Sequence, residues 1–159
     1  MQLLIKQRVF SWTDSFDVYD SDRNRKYFVK GEFFSLTHKL HVYDNTQKEI
    51  GVITQRLFSL LPVFDIELNG KMVGTIKKKF SFFRPQYEVD MNGWRVEGDF
   101  LQWNYDVYGG CSPVMRISKK LLNWGDTYVI DFTDPQDEIM GLLLVLAIDV
   151  ANCTDDDKK

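Results

Sequence analysis

The stretch Ile53-Thr54-Gln55-Arg56-Leu57-Phe58-Ser59-Leu60, followed shortly by Phe64-Asp65-Ile66-Glu67, decides the fold, because both parts recur along the chain. The first part has counterparts beginning at Ile5, Val29, Ile76, Val96 and Ile117, so successive copies start 20 to 24 residues apart. Each ends in an apolar or aromatic corner, such as Phe34-Ser35-Leu36 or Phe80-Ser81-Phe82-Phe83. The second part recurs as Phe16-Asp17-Val18-Tyr19, Leu40-His41-Val42-Tyr43, Tyr87-Glu88-Val89-Asp90, Tyr105-Asp106-Val107-Tyr108 and Tyr128-Val129-Ile130-Asp131. Apolar residues mostly alternate with polar ones in these elements, which is the period-2 signature of a strand with one buried face.

Turn chemistry follows most of the second elements. Asn69-Gly70 and Asn92-Gly93 suit the positive φ angles of two-residue type I′ hairpins, and Asp44-Asn45-Thr46 and Gly109-Gly110 are looser turn signals. The repeating unit is therefore a β-hairpin of about 23 residues. Six hairpins would give a propeller only three blades of four strands, too few to close. A twelve-stranded antiparallel meander, closed or nearly so, leaves fewer exposed edges and is the expected architecture.

Downstream lies Thr133-Asp134-Pro135-Gln136-Asp137-Glu138 and then the apolar run Ile139 to Ala151, interrupted only by Gly141 and Asp149. Asp134 suits an N-cap, Pro135 the first helical position, and the early carboxylates the helix dipole. A helix apolar on every side has to be buried. Its length falls short of the ~20 residues a bilayer span requires. Leu142, Leu143, Leu144, Val145, Leu146 and Ile148 are accordingly expected to fill a closed barrel, and no transmembrane segment is expected. Residues 1–153 are read as one domain and 154–159 as a polar tail.

Composition narrows the function classes. A net charge of −3 and a pI near 5.4 argue against general nucleic-acid binding, so no nucleic-acid partner is expected. Cys111 and Cys153 lack ligand spacing, and no signal segment opens the chain, which points to reduced thiols in a cytoplasmic protein. No nucleophile elbow, phosphate loop, dinucleotide fingerprint or zinc signature occurs, so neither enzymatic activity nor a cofactor is expected.

The hairpin series, the segment from Phe64 to Phe83, the run Tyr87-Glu88-Val89-Asp90 with Asn92-Gly93-Trp94-Arg95-Val96-Glu97-Gly98-Asp99, and the apolar C-terminal helix together resemble the LURP-one-related family. The resemblance runs from Ile5 to Cys153 and implies the Tubby C-terminal-like fold, a twelve-stranded barrel threaded by a hydrophobic helix and shared with phospholipid scramblases. Tubby domains bind phosphoinositide headgroups and scramblases act on membrane lipids. The expected role is thus a non-catalytic binding module, peripheral at the membrane, whose partner is an anionic phospholipid or a protein. A scramblase-like, membrane-associated protein is the alternative.

Several residue groups are candidates for that role. Lys77, Lys78 and Lys79, with Arg84 nearby and Lys119 and Lys120 in the equivalent slot of a later repeat, are expected to form a basic patch for anionic headgroups. Strand alternation places Lys77 and Lys79 on one face. The competing reading is a solvated strand end protected by lysines. His38 and His41 are expected to be surface histidines, since strand geometry points them apart and no third metal ligand is in view. Asp14, Asp17, Asp20 and Asp22 lack the glycine and closing glutamate of a calcium loop and read as a solvated turn. Asp149 stands out as a carboxylate inside an apolar helix, placed near its C-terminal end and expected to reach solvent or a backbone donor.

Overall fold

The computed structural model describes residues 1–6, 15–32, 36–123 and 125–153. Twelve strands follow in chain order: β1 (Gln2–Lys6), β2 (Ser15–Asp20), β3 (Arg25–Glu32), β4 (Lys39–Asp44), β5 (Glu49–Gln55), β6 (Val63–Leu68), β7 (Lys71–Lys79), β8 (Gln86–Met91), β9 (Trp94–Asp99), β10 (Asn104–Gly109), β11 (Ser112–Leu122) and β12 (Gly125–Phe132). One α-helix, α1 (Glu138–Cys153), ends the described chain. The strands form one antiparallel sheet in the order β8-β7-β6-β5-β4-β3-β2-β1-β12-β11-β10-β9. Pairing of β1 with β12 joins the two ends of the meander, and Met1 and Phe132 exchange backbone hydrogen bonds there.

The repeats predict this strand number, and their alternation sets which side chains face inward. Phe16, Val18, Val29, Leu40, Val42, Ile53, Phe64, Ile66, Ile76, Tyr105, Val107, Ile117 and Ile130 are all buried. Around them stand polar residues on the outer parity, the pattern of a sheet with one solvated face. Both Asn-Gly turns adopt the expected geometry, with φ of 51° and 76° at Asn69 and Gly70 and 54° and 67° at Asn92 and Gly93.

One hairpin departs from expectation. Asn92-Gly93 turns the chain, yet β8 and β9 form no ladder and are the two edges of the sheet. The turn satisfies local chemistry while the wall leaves a seam beside it. The barrel is therefore nearly closed rather than fully closed.

Leu142 to Ala147 are completely buried and Ile148 is nearly so. The wall accommodates this helix by close approach. A Cβ at Gly51 of β5 would come within 2.5 Å of the Leu143 side chain, and one at Gly141 would meet the Phe132 ring at the same distance. The helix start is tied to the wall by Glu138, which pairs with Lys26 Nζ at 2.7 Å and accepts a hydrogen bond from the Tyr27 hydroxyl. Asp134 accepts from the Gln136 amide at 2.9 Å ahead of the short 3-10 turn Pro135–Asp137, the capping role its residue type predicts.

Antiparallel order sorts the connections into two ends. Those from even to odd strands, together with the start of α1, form a turn end. Those from odd to even strands, together with the C-terminal end of α1, form a loop end.

Candidate functional site

The loop end gathers most of the exposed apolar surface. Among the described residues, eleven large hydrophobic side chains are exposed, and nine of them sit in or beside odd-to-even connections: Leu36, Leu57, Phe58, Leu60, Phe80, Phe82, Phe83, Leu101 and Leu121. Only Met1 and Met72 lie at the turn end. Phe58, Leu60 and Phe83 are almost fully exposed, at 101%, 98% and 96%. These residues are the repeated apolar corners. The first residues of five aligned segments, Ile5, Val29, Ile53, Ile76 and Ile117, are fully buried in the wall, and the described segments from Ile53 and Ile76 then climb out into the loops. Trp103 is the counterexample that shows the alternative: it folds back and stacks on Tyr128 with centroids 3.6 Å apart, leaving 7% exposed.

The candidate lysines lie at this same end, but not as one patch. The burial alternation of β7 puts Lys77 and Lys79 on the outer parity, whereas Lys78 shares the parity of the buried Ile76. On β11, Lys119 shares the parity of Met115 and Ile117, and Lys120 points the other way. Strands β8, β9 and β10 separate the two clusters on the side of the seam. Lys79 approaches Glu88 at 3.8 Å and Lys119 pairs with Asp126 at 2.8 Å. Lys77, Arg84 and Lys120 have no carboxylate partner among the described residues. Arg84 projects from the loop 80–85, between a cleft of about 450 Å³ shared with Lys78, Lys79 and Ser81 and another of about 190 Å³ shared with Gly98 and Phe100. The expected basic patch is thus a discontinuous fringe of cations between apolar loops.

Asp149 sits at the same end of the helix, yet it does not reach solvent. It is 4% exposed and its Oδ2 finds no hydrogen-bond partner. Burial pushes its carboxyl well above the usual carboxylate range. Tyr105, buried nearby, has its hydroxyl pushed up by burial first and by Asp149 and Tyr87 next. One turn on, Asn152 accepts from the Tyr87 hydroxyl and donates to the Phe100 carbonyl at 3.3 Å, holding the helix end across the seam.

The remaining candidates take structural roles. His41 presents Nδ1 to Glu49 at 2.8 Å and Nε2 to Glu32 at 2.9 Å, bridging β3, β4 and β5, while His38 is exposed ahead of β4. Asp20 closes its turn by accepting from the Asn24 amide at 2.8 Å, a bond that holds its carboxyl below the usual range. Asp17 accepts from Tyr19, Asp22 is exposed in the turn, and Asp14 lies outside the described residues. Among the described residues no group of three His, Cys, Asp or Glu side chains is placed to hold a metal. Nor is any described helix long and apolar enough to cross a membrane.

A twelve-stranded antiparallel wall nearly closed around a buried C-terminal helix is the Tubby C-terminal-like class of barrel. The X-ray structure of Arabidopsis thaliana protein AT5G01750 matches it with a TM-score of 0.63 at 18% identity, over 94% of this chain and 90% of that one, a likeness of fold. The family model described as LURP-one-related matches residues 1–149. The Bacillus subtilis protein YxjI, described as uncharacterized, is 32% identical over 158 residues, which is 99% of this chain and 98% of that protein. The chain belongs to the LURP-one-related family.

Proposed function

We propose that this chain is a non-catalytic module that docks its loop end on anionic membrane surfaces. The observation that carries this reading is the segregation of nine exposed apolar side chains to one end of the barrel, with uncommitted Lys77, Arg84 and Lys120 among them. A folded chain gains nothing by holding Phe58, Leu60 and Phe83 in water, and exposed apolar side chains gathered at one end suit a contact site. The mixture of aromatic tips and cations suits a bilayer interface, where rings enter the acyl boundary and cations stay at the anionic headgroups.

Magnitudes rank the two contributions. Each cation near an anionic surface contributes about 1 kcal/mol, so three supply roughly 3. Fully burying one Leu or Phe side chain contributes about 1.5–3 kcal/mol. Insertion of even a few loop residues therefore outweighs the charges, and salt should weaken binding without abolishing it. The scramblase-like alternative would draw α1 out of the barrel, where Leu142 to Leu146 are fully buried, and its 16 residues span only about 24 Å.

Co-sedimentation with vesicles tests the proposal. Wild-type protein should pellet with phosphatidylserine-containing vesicles and less with neutral ones. The double substitution Phe82→Asp and Phe83→Asp should lower binding about tenfold or more, and Lys77→Gln with Arg84→Gln and Lys120→Gln should remove the salt dependence. Equal, negligible pelleting with both vesicle types at low salt would sink the reading.

A further inference from the structure

Another cleft lies on the outer wall, toward the turn end. It has a volume of about 360 Å³ and is lined by Arg25, Phe28 and Lys30 of β3, Tyr43 and Asp44 of β4, and Gln47 of the following turn. The volume falls in the range of small-molecule sites. Its construction follows from strand alternation. Val29 and Val42 are fully buried, so Phe28, Lys30 and Tyr43 face outward. The register sets Phe28 directly opposite Tyr43, with ring centroids 6.3 Å apart and planes at 35°. Irregular pairing at Val18/Tyr19 in β2–β3 and at Val42/Tyr43 in β4–β5 flanks the cleft, and such bulges re-aim side chains beside binding sites.

The platform is flanked on its own face. Tyr43 lies against the His41 ring at 6.4 Å and 27°, and that ring is clamped between Glu49 and Glu32. A ring pair fixed before binding loses little entropy when a flat ligand settles on it.

Two cations line the cleft, Arg25 and Lys30, against one carboxylate, Asp44. Asp44 Oδ1 already accepts from the Thr46 amide, the Thr46 hydroxyl and the Lys48 amide at 2.8, 2.7 and 3.1 Å. Asp17, beside the cleft on β2, accepts from the Tyr19 hydroxyl through Oδ2 at 3.3 Å, while its buried Oδ1 accepts no hydrogen bond among the described residues and lies nearest Arg25. Arg25 approaches Asp17 only at 3.7 Å, beyond hydrogen-bond distance, and Lys30 has no partner among the described residues. Among the described residues Arg25 thus keeps its N–H groups free of hydrogen bonds although Asp17 lies in ion-pair range, and these groups and the Lys30 ammonium can meet an incoming oxyanion.

We infer that this cleft is a binding site for a small aromatic anion, a planar ring carrying one phosphate or carboxylate. The ring lies on Phe28 and Tyr43, and the anionic group meets Arg25 and Lys30. Because the cleft opens on the side wall toward the turn end, it stays open to solution while the loop end is docked, and it stands whether or not the docking proposal does.

Amide chemical-shift titration of the full chain tests it, with adenosine monophosphate and phenyl phosphate as ring-plus-anion probes. Adenosine and inorganic phosphate serve as the separated halves. The inference predicts saturable shifts concentrated in 25–30 and 43–47 with at least one combined probe. Each half should bind about tenfold more weakly or worse than the combined probe. Lys30→Glu, an exposed change that leaves the fold intact, and Phe28→Ala should each weaken that binding about tenfold. Absence of shifts in this region with both combined probes at millimolar concentration overturns the inference. So does equal binding by either half, or unchanged binding by Lys30→Glu.

Discussion

The two ends of the barrel solve the same problem, reversing the chain between antiparallel strands, with opposite chemistry. At the turn end the connections 21–24, 45–48, 69–70, 92–93 and 110–111 are short and satisfy themselves. Asn-Gly pairs adopt left-handed backbone, and Asp20 and Asp44 collect the amides of their own turns. At the loop end most described connections are longer, and they expose Leu and Phe side chains that no turn geometry requires. Under the docking proposal, these residues that local structure does not need serve a contact outside the chain. The turn end serves folding, and on the same proposal the loop end serves contact.

The helix carries that contrast along its own length. Near the turn end Glu138 is buried but paired with Lys26 and Tyr27, whereas near the loop end Asp149 is buried with an unpartnered oxygen. Replacing Glu138 with Ala should have the largest effect on stability. It removes both contacts and strands Lys26, which is partly exposed, so about 2–3 kcal/mol is expected in chemical denaturation.

Asp149→Asn should act in the other direction. The folded-state pKa of Asp149 is raised, so the unfolded chain binds fewer protons above the ordinary value of 3.8. The wild-type stability from this group is therefore fully present below that pH and is lost as pH rises toward the folded pKa. Asn takes no part in that titration. The substitution should stabilise the protein by about 1–3 kcal/mol at neutral pH and show little advantage in acid. A stability difference that stays flat with pH would remove ionisation from the account of Asp149.

The smallest expected effect sharpens the division of labour. Leu60→Ser at the loop end, replacing a side chain that is 98% exposed, should change stability by less than about 0.5 kcal/mol. A large loss on thermal melting would show that the loop corners pack within the protein and are not contact surface.

Much of the fold is legible in the sequence because it repeats. Alternation in elements such as Phe64-Asp65-Ile66-Glu67 specifies faces, and Asn69-Gly70 specifies a turn, so the twelve strands can be counted from the residues alone. The seam is not legible. A turn signal such as Asn92-Gly93 constrains only the few residues around it, whereas a ladder between β8 and β9 depends on how the whole wall curves around the helix. The burial of Asp149 is hidden for the same kind of reason: its distance from the helix end suggests solvent, but the wall reaches past it.

The loop end is half legible. The apolar corners are visible as repeats, with Phe58, Phe82 and Leu121 in equivalent stretches. Their direction is not, because an apolar corner reads alike whether it folds inward, as Trp103 does, or stands out, as Phe83 does. The lysines stand out by their charge, but only strand parity separates Lys77 and Lys79 from Lys78 and divides Lys119 from Lys120. The outer-wall cleft leaves a fainter trace, the alternation in Arg25-Lys26-Tyr27-Phe28-Val29-Lys30. It becomes a site only when the register sets Phe28 against Tyr43.

Site-directed fluorescence labelling compares the two ends in one experiment. The exposed Cys111 lies in a turn-end connection and takes a polarity-sensitive label there, with Cys153 changed to Ser. A second variant carries the label at the loop end through Phe82→Cys, with Cys111 and Cys153 both changed to Ser. On adding phosphatidylserine-containing vesicles, the label at position 82 should shift to the blue and be quenched by lipid-phase nitroxide, while the label at Cys111 stays unchanged. No change at position 82, or equal changes at both positions, would contradict the claim that the loop end is the membrane-docking surface.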